Sequence, residues 1–215
     1  MPTTSLKSSA QLMMVPTPGI PLSVKQVEEH RRKLSDGTFA VEYTVTARQY
    51  RDSKGRVRIE SETEDQTGNS SGLSVSITDP VAGVQTLLVR AEKIAYRQPM
   101  KLSGEAQLLM FDAADGQDSP HTWKVTDAGA EDRMIEGYEF KGSHVETSAE
   151  DVAGLTTSID QWYSDKLKLI GAVDRKGPFK AYIIRVVQLQ LGEPDSKLFE
   201  IPSDHKVVDL RTPQP

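Results

Sequence analysis

The chain has 215 residues, 37% of them hydrophobic and 27% charged, with a formal net charge of -5 and no cysteine. That balance suits a folded globular protein with a sizeable core. It excludes disulfides, thiolate metal sites and a cysteine nucleophile, and it weighs against a dedicated nucleic-acid binder, which displays a basic face.

Residues 1–22 are rich in Ser, Thr and Pro, and Pro16, Pro18 and Pro21 favour extended backbone over helix. They read as an arm. Its apolar portion, Leu12, Met13, Met14 and Val15, is suited to docking on its own domain or on a neighbour's sheet edge. That run is far shorter than the roughly 20 residues that span a bilayer. No apolar stretch of signal-peptide length precedes a small-residue cleavage site. The start therefore fits either a cytoplasmic chain or one whose natural leader has been replaced by Met1.

The stretch from Val24 to Leu34 carries two patterns. Val24, Val27, Arg31 and Leu34 form a helical stripe, but Asp36-Gly37 is a hairpin signal that asks for a strand ending at Leu34; the strand reading is adopted. From Phe39 the period is two: Phe39, Val41, Tyr43, Val45 and Ala47 fall on one face, and Glu42, Thr44, Thr46 and Arg48 on the other. The turn "RDSKGR" (Arg51 to Arg56) follows, then Val57 and Ile59 inward with Arg56, Arg58 and Glu60 outward. A phosphate loop would need a helix straight after Gly55. A strand follows instead, so these charges are expected to flank a turn and decorate a solvent face.

Leu73, Val75 and Ile77 repeat the alternation. "VQTLLV" and "KIAYR" form a further hairpin around residues 90–92. Residues 99–133 are less regular and include a turn-rich acidic loop at 112–120. Strand patterns return at "IEGYEFKGSHVET", "TTSIDQWYS", "LKLIGAV" and "FKAYIIRVVQLQL". The last has Tyr182, Ile184 and Val186 on one face and Ile183, Val187, Leu189 and Leu191 mostly on the other, which predicts a strand covered on both sides. "EPDSKLFEIP" reads as a short helical turn whose Leu198, Phe199 and Ile201 plug one end of the sheet. The whole predicts a mainly β protein with little helix: a single antiparallel meander sheet curved into a half-barrel or open barrel. The organisation is an arm at 1–22 and one β-rich domain at 23–215, with the irregular segment at 99–133.

Chemistry-bearing motifs are sparse. His30, His121, His144 and His205 stand singly, without metal-ligand spacing; His144 has the alternative of a place inside a concave sheet beside Glu146, but a strand-surface position without a special role is the favoured reading. There is no G-x-S-x-G elbow, no EF-hand order in the acidic loop and no Gly-rich helix-opening loop. Neither a catalytic residue nor a metal or cofactor is assigned, and the expectation is a protein that is not an enzyme.

Several stretches resemble a family of predicted secreted proteins of soil bacteria, notably acidobacteria: "LSDGT", "YRDSKGRVRIE", "ITDPVAGV", "IEGYEFKGSHVET", "QWYSDKLKLI" and "EPDSKLFEIPSDHKVV". They span residues 34 to 208 in order. More remotely, the layout is similar to the half-barrel of periplasmic lipoprotein carriers and related envelope-stress regulators, which bind acyl chains. The resemblance implies a periplasmic or secreted protein, and it supplies no catalytic residue.

The function expected on these grounds is an exported, non-enzymatic binding or carrier module with an apolar concave face for a lipid or hydrophobic peptide. Phe39, Val41, Tyr43, Val45, Tyr138, Phe140, Trp162 and Tyr182 are its candidate ligand contacts. The rival expectation is a structural subunit that assembles into a homo-oligomer by strand addition of the N-terminal arm.

Overall fold

The computed structural model describes residues 14–100 and 122–211. Leu12, Met13, His121 and the acidic loop at 112–120 lie outside the described residues. Twelve strands form one sheet: β1 (Leu22–Lys33), β2 (Phe39–Arg51), β3 (Val57–Asp65), β4 (Ser70–Asp79), β5 (Val84–Val89), β6 (Ile94–Pro99), β7 (Trp123–Ile135), β8 (Tyr138–Ala149), β9 (Thr156–Ser164), β10 (Leu169–Lys176), β11 (Lys180–Leu191) and β12 (Lys206–Asp209). Their order across the sheet is β12-β6-β5-β4-β3-β2-β1-β11-β10-β9-β8-β7. Neighbours run antiparallel except β12, which is parallel to β6. The sheet is curled but not closed into a barrel, as the alternation predicted, and its edges are β7 and β12. Two meanders, β1–β6 and β7–β11, are joined by the long β1–β11 pairing from Leu22↔Leu191 to Arg32↔Lys180. β7 takes up much of what reads in sequence as the end of the irregular 99–133 segment.

Because residues directly opposite in an antiparallel pair share a face, the registers define the inner surface. One row runs Thr63, Val45, Glu28, Ile184, Val173, Gln161. A second is Ser61, Ala47, Gln26, Val186, and a third Ile59, Gln49, Val24, Leu189. Most of these side chains are buried.

Register slips redirect several predicted faces. The β1–β2 ladder slips at Glu42, between the pairs His30↔Tyr43 and Arg31↔Val41. A bulge of this kind adds one residue and reverses the parity beyond it. Phe39 and Val41 therefore point away from Tyr43 and Val45, and Val41 is 37% exposed. A second slip, at Val187, turns Leu189 back onto the inner face. The bulge thus accounts for Val187, which is exposed, and for Leu189, while Ile183, before it, faces outward and is half-buried.

The C-terminal segment also sits differently from expectation. A 3-10 turn at Ser196–Phe199 forms as predicted, but Leu198, Phe199 and Ile201 do not plug an end of the sheet. They pack with Val75, Ile77, Leu88, Ala95 and Tyr50 on the outer face of β3–β6, since Ile77 pairs with Arg58 and Thr86 while Val57 and Ile59 face inward. Arg58 Nη1 donates to the Leu198 carbonyl at 2.8 Å, and the Arg56 guanidinium lies 4.8 Å from the Phe199 ring centroid.

The turn after β2 departs most from a solvated hairpin. Arg51 is fully buried. Its guanidinium donates to four backbone carbonyls: Ile20 at 2.8 Å, Val15 at 2.8 Å, Leu167 at 2.7 Å and Lys168 at 3.3 Å. Burial pushes its pKa down to about 10, which still leaves it charged at neutral pH. Around it the arm is anchored: Met14 bridges Leu169 and is buried, Val15 N–H donates to Lys168 O, and Gly19 N–H to Ser53 O. Gly55 has φ of +82°, and a Cβ there would lie 2.9 Å from the backbone of Thr17 and Pro18. Glycine is needed both for the turn and for the arm to pass over it. Asp52 is buried too, accepting from Arg56 N at 2.8 Å and Arg56 Nε at 2.6 Å.

Replacing Arg51 by methionine would take the guanidinium donor from the Ile20, Val15 and Leu167 carbonyls, while Lys168 O still accepts from Val15 N–H. Unsatisfied buried acceptors cost about 1–3 kcal/mol each, with partial relief if water enters. The expected loss of stability is therefore about 3 kcal/mol or more, read by urea unfolding. Arg51→Lys should recover only part of it, because one ammonium cannot serve four divergent carbonyls.

Candidate functional site

At the end of the sheet opposite the arm the last inner-face row is largely half-buried among the described residues and forms a mouth. Paired registers place Asp65, Tyr43, His30, Tyr182, Arg175, Ile159, Val145 and Asp127 in that row. His30 stacks on Tyr43 with ring centroids 4.3 Å apart and planes at 12°, and lies 5.8 Å from the Tyr182 ring. The Arg175 guanidinium lies 5.6 Å from the Tyr182 ring centroid. Tyr43, His30, Tyr182, Ile159 and Val145 are half-buried. On the other wing of the sheet, Leu87 pairs with Ser76 and Tyr96 on the inner face and is also half-buried. The curl therefore presents partly covered aromatic and aliphatic side chains at its mouth above a filled floor.

That floor is not purely apolar. Gln26, Glu28 and Gln49 are each fully buried. Gln26 Nε2 donates to Glu28 Oε1 at 2.6 Å, Gln49 Nε2 donates to Gln26 Oε1, and His30 Nε2 stands 3.4 Å from Glu28 Oε2. The chain of polar groups runs from the mouth at His30 down into the core. A buried polar group is tolerated where such bonds replace those to water.

Of the eight sequence-predicted contacts, Val45, Phe140 and Trp162, with Tyr43, Tyr138 and Tyr182 packed against them, belong to one hydrophobic cluster, though strand parity puts them on different faces. Tyr43, Val45 and Tyr182 share the inner face. Phe39 and Val41 point outward beyond the bulge, with Lys176 Nζ 5.9 Å from the Phe39 ring centroid. Tyr138, Phe140 and Trp162 lie on the opposite side of β8 and β9 from the inward Ser143 and Gln161. There Trp162 Nε1 donates to Glu131 O at 2.9 Å and the Arg133 guanidinium sits 3.6 Å from its ring centroid. Phe140 packs against the backbone at Gly171, where a Cβ would meet its ring at 2.7 Å. Sequence reasoning missed His30, Gln26 and Glu28 on the inner face; their i, i+2 spacing with Leu22 and Val24 was the available signal. His144 lies on the outer side, the strand-surface position favoured for it, and Nδ1 stands 2.6 Å from Asp160 Oδ1.

A separate cavity of about 500 Å³ opens on the outer face, between β4–β6 and the C-terminal segment, lined by Ile77, Val84, Thr86, Arg97, Phe199 and Arg211 among others. Arg211 is held there by Asp209 through Nε at 2.9 Å and Nη2 at 2.5 Å, and these bonds bring the Asp209 carboxyl down to about 2. Among the described residues no group of three or more His, Asp or Glu side chains is arranged to hold a metal ion, and no helix is long and apolar enough to cross a membrane.

No family model matches the sequence, and neither does any curated protein. Solved structures of similar shape include MucB in complex with MucA(peri), at 12% identity and a TM-score of 0.44, covering 88% of this chain and 57% of that one. A Pseudomonas aeruginosa MucA/MucB complex matches at 14% identity and 0.43, covering 88% of this chain and 58% of its counterpart. This chain thus spans less than two thirds of those chains. A Vibrio parahaemolyticus domain named for outer membrane lipoprotein sorting matches at 10% identity and 0.34, covering 82% of this chain and 88% of that one.

The buried carboxylate gives a direct test of the floor. Glu28→Ala should cost about 1–3 kcal/mol in urea unfolding by stranding its polar neighbours. Glu28→Gln should cost less, because the amide oxygen still accepts from Gln26.

Proposed function

We propose that the protein is an exported, non-enzymatic binding or carrier module that takes an acyl chain or a hydrophobic peptide segment at the open mouth of its curled sheet. The observation that carries this reading is the asymmetry of the inner face. One end is sealed by Arg51 and the docked arm, while the other leaves Tyr43, His30, Tyr182, Ile159 and Val145 half-covered around an opening. Aromatic and aliphatic side chains held partly exposed by a rigid sheet are the usual lining of sites for apolar ligands. Filled rows below the mouth limit the depth of entry, so the ligand is engaged by its end or edge.

Assembly through the N-terminal arm is the less favoured reading, because Met14 is already buried against its own chain. Periplasmic or secreted localisation belongs to the proposal, since a soluble carrier with an apolar mouth has its use between membranes.

Native mass spectrometry after gentle purification, with organic extraction of the released material, tests the reading. A one-to-one complex with a lipid or apolar peptide is expected, along with saturable uptake of a fluorescent acyl probe. Tyr43→Ala combined with Tyr182→Ala should weaken that uptake about tenfold or more, since aromatic contacts contribute about 0.5–1.5 kcal/mol each beyond their buried area. Ligand-free protein together with no probe uptake contradicts the proposal.

A further inference from the structure

One arc of the mouth, formed by the β1–β2 and β10–β11 tips, carries charge opposite in sign to the rest of the molecule, whereas the β3–β4 and β8–β9 tips across from it carry the exposed Glu64, Asp65, Glu150 and Asp151. Residues 31–43 and 175–182 carry six cations, Arg31, Arg32, Lys33, Arg175, Lys176 and Lys180, against two carboxylates, Asp36 and Glu42, in a chain of net charge -5. The fold brings the two stretches together: Lys33 N–H donates to Phe179 O at 2.8 Å, and Arg32 pairs with Lys180 across the β1–β11 ladder. Arg31 is matched by Glu29, and Asp36 is occupied by the backbone N–H and hydroxyl of Thr38. Arg32, Lys33, Lys176 and Lys180 are exposed and have no carboxylate partner among the described residues. In their midst Phe179 stands 71% exposed at the tip of the β10–β11 turn, beside the half-buried Phe39.

We propose that this rim docks on an anionic lipid bilayer, with the lysines and arginines against the phosphates and Phe179 entering the interface. Cations scattered over a surface are ordinary. Unpaired cations gathered on two adjoining hairpin tips around an exposed aromatic ring are the combination that interfacial binding uses: electrostatic attraction to anionic headgroups plus apolar burial. The rest of the chain, net acidic, is repelled by such a surface, so the rim would also set the orientation. That orientation brings the basic arc of the mouth to the membrane and leaves the acidic arc tilted away from it. The inference rests on the carrier reading for its purpose but not for its test.

Co-sedimentation of the full chain with vesicles of phosphatidylcholine, alone or rich in phosphatidylglycerol, reads the docking directly. Binding to the anionic vesicles, little to the neutral ones, and loss at high salt are expected. Each basic residue near the surface contributes about fivefold, so Arg32→Gln, Lys33→Gln and Lys180→Gln together should weaken partitioning on the order of a hundredfold. Phe179→Ser should weaken it several-fold, and both variants alter exposed positions, so an unchanged thermal midpoint serves as the folding control. Equal binding to both vesicle types, no binding to either, or full binding by the triple variant would each overturn the proposal. So would retention on heparin without vesicle binding, which would point to a soluble polyanion instead. Acyl-probe uptake measured on the same proteins without vesicles separates the two ideas: docking without uptake strikes only the carrier reading, and uptake without docking strikes only the rim.

Discussion

The structure turns on a cation that has no carboxylate. Moving a guanidinium out of water is costly unless its donors find new acceptors, and at Arg51 four main-chain carbonyls take four of its five N–H groups. Those carbonyls belong to the arm (Val15, Ile20) and to the β9–β10 connection (Leu167, Lys168), so one side chain from β2 ties together segments from both meanders. The arm passes over Gly55, where no larger residue fits, and Met14 fills the core beside Leu169. A curled sheet that fails to close has two open ends by default. This knot seals one of them, and the polarity of the molecule follows.

Local irregularity does the rest of the shaping. Slips at Glu42, Val187, Gly171 and the Glu131–Asp132 pair each add a residue to one strand, increasing local twist and re-aiming side chains. The Glu42 slip is what separates Tyr43, on the mouth, from Phe39, on the outer rim. The result is an aromatic inner row and a basic band at the hairpin tips beyond it, produced by the same two hairpins.

Much of this was legible in the sequence. The alternation at Val41 to Ala47, Val57 to Ile59 and Leu73 to Ile77, with glycine corners at Gly37 and Gly55, marked out β2, β3 and β4 and the meander. Ambiguous Val24 to Leu34 resolved as a strand because Asp36-Gly37 required a hairpin there. What stayed hidden has two physical causes. A bulge reverses parity without a residue signature, so Phe39 and Val41 were assigned to the wrong side. Polarity also misleads: Arg51, Glu28, Gln26 and Gln49 look like solvent-facing residues, yet hydrogen bonds set by tertiary structure make their burial tolerable. Only the partners reveal that, and the partners are distant in sequence.

The central claim is that the buried guanidinium holds residues 14–20 as a permanent part of the domain. Amide hydrogen exchange followed by NMR reads it most directly, at Val15 and Gly19, whose N–H groups bond Lys168 O and Ser53 O at 2.9 Å each. The account predicts protection approaching that of Val45 in the central strands. Exchange at those two amides at the rate of an unstructured peptide, while Val45 remains protected, would contradict it.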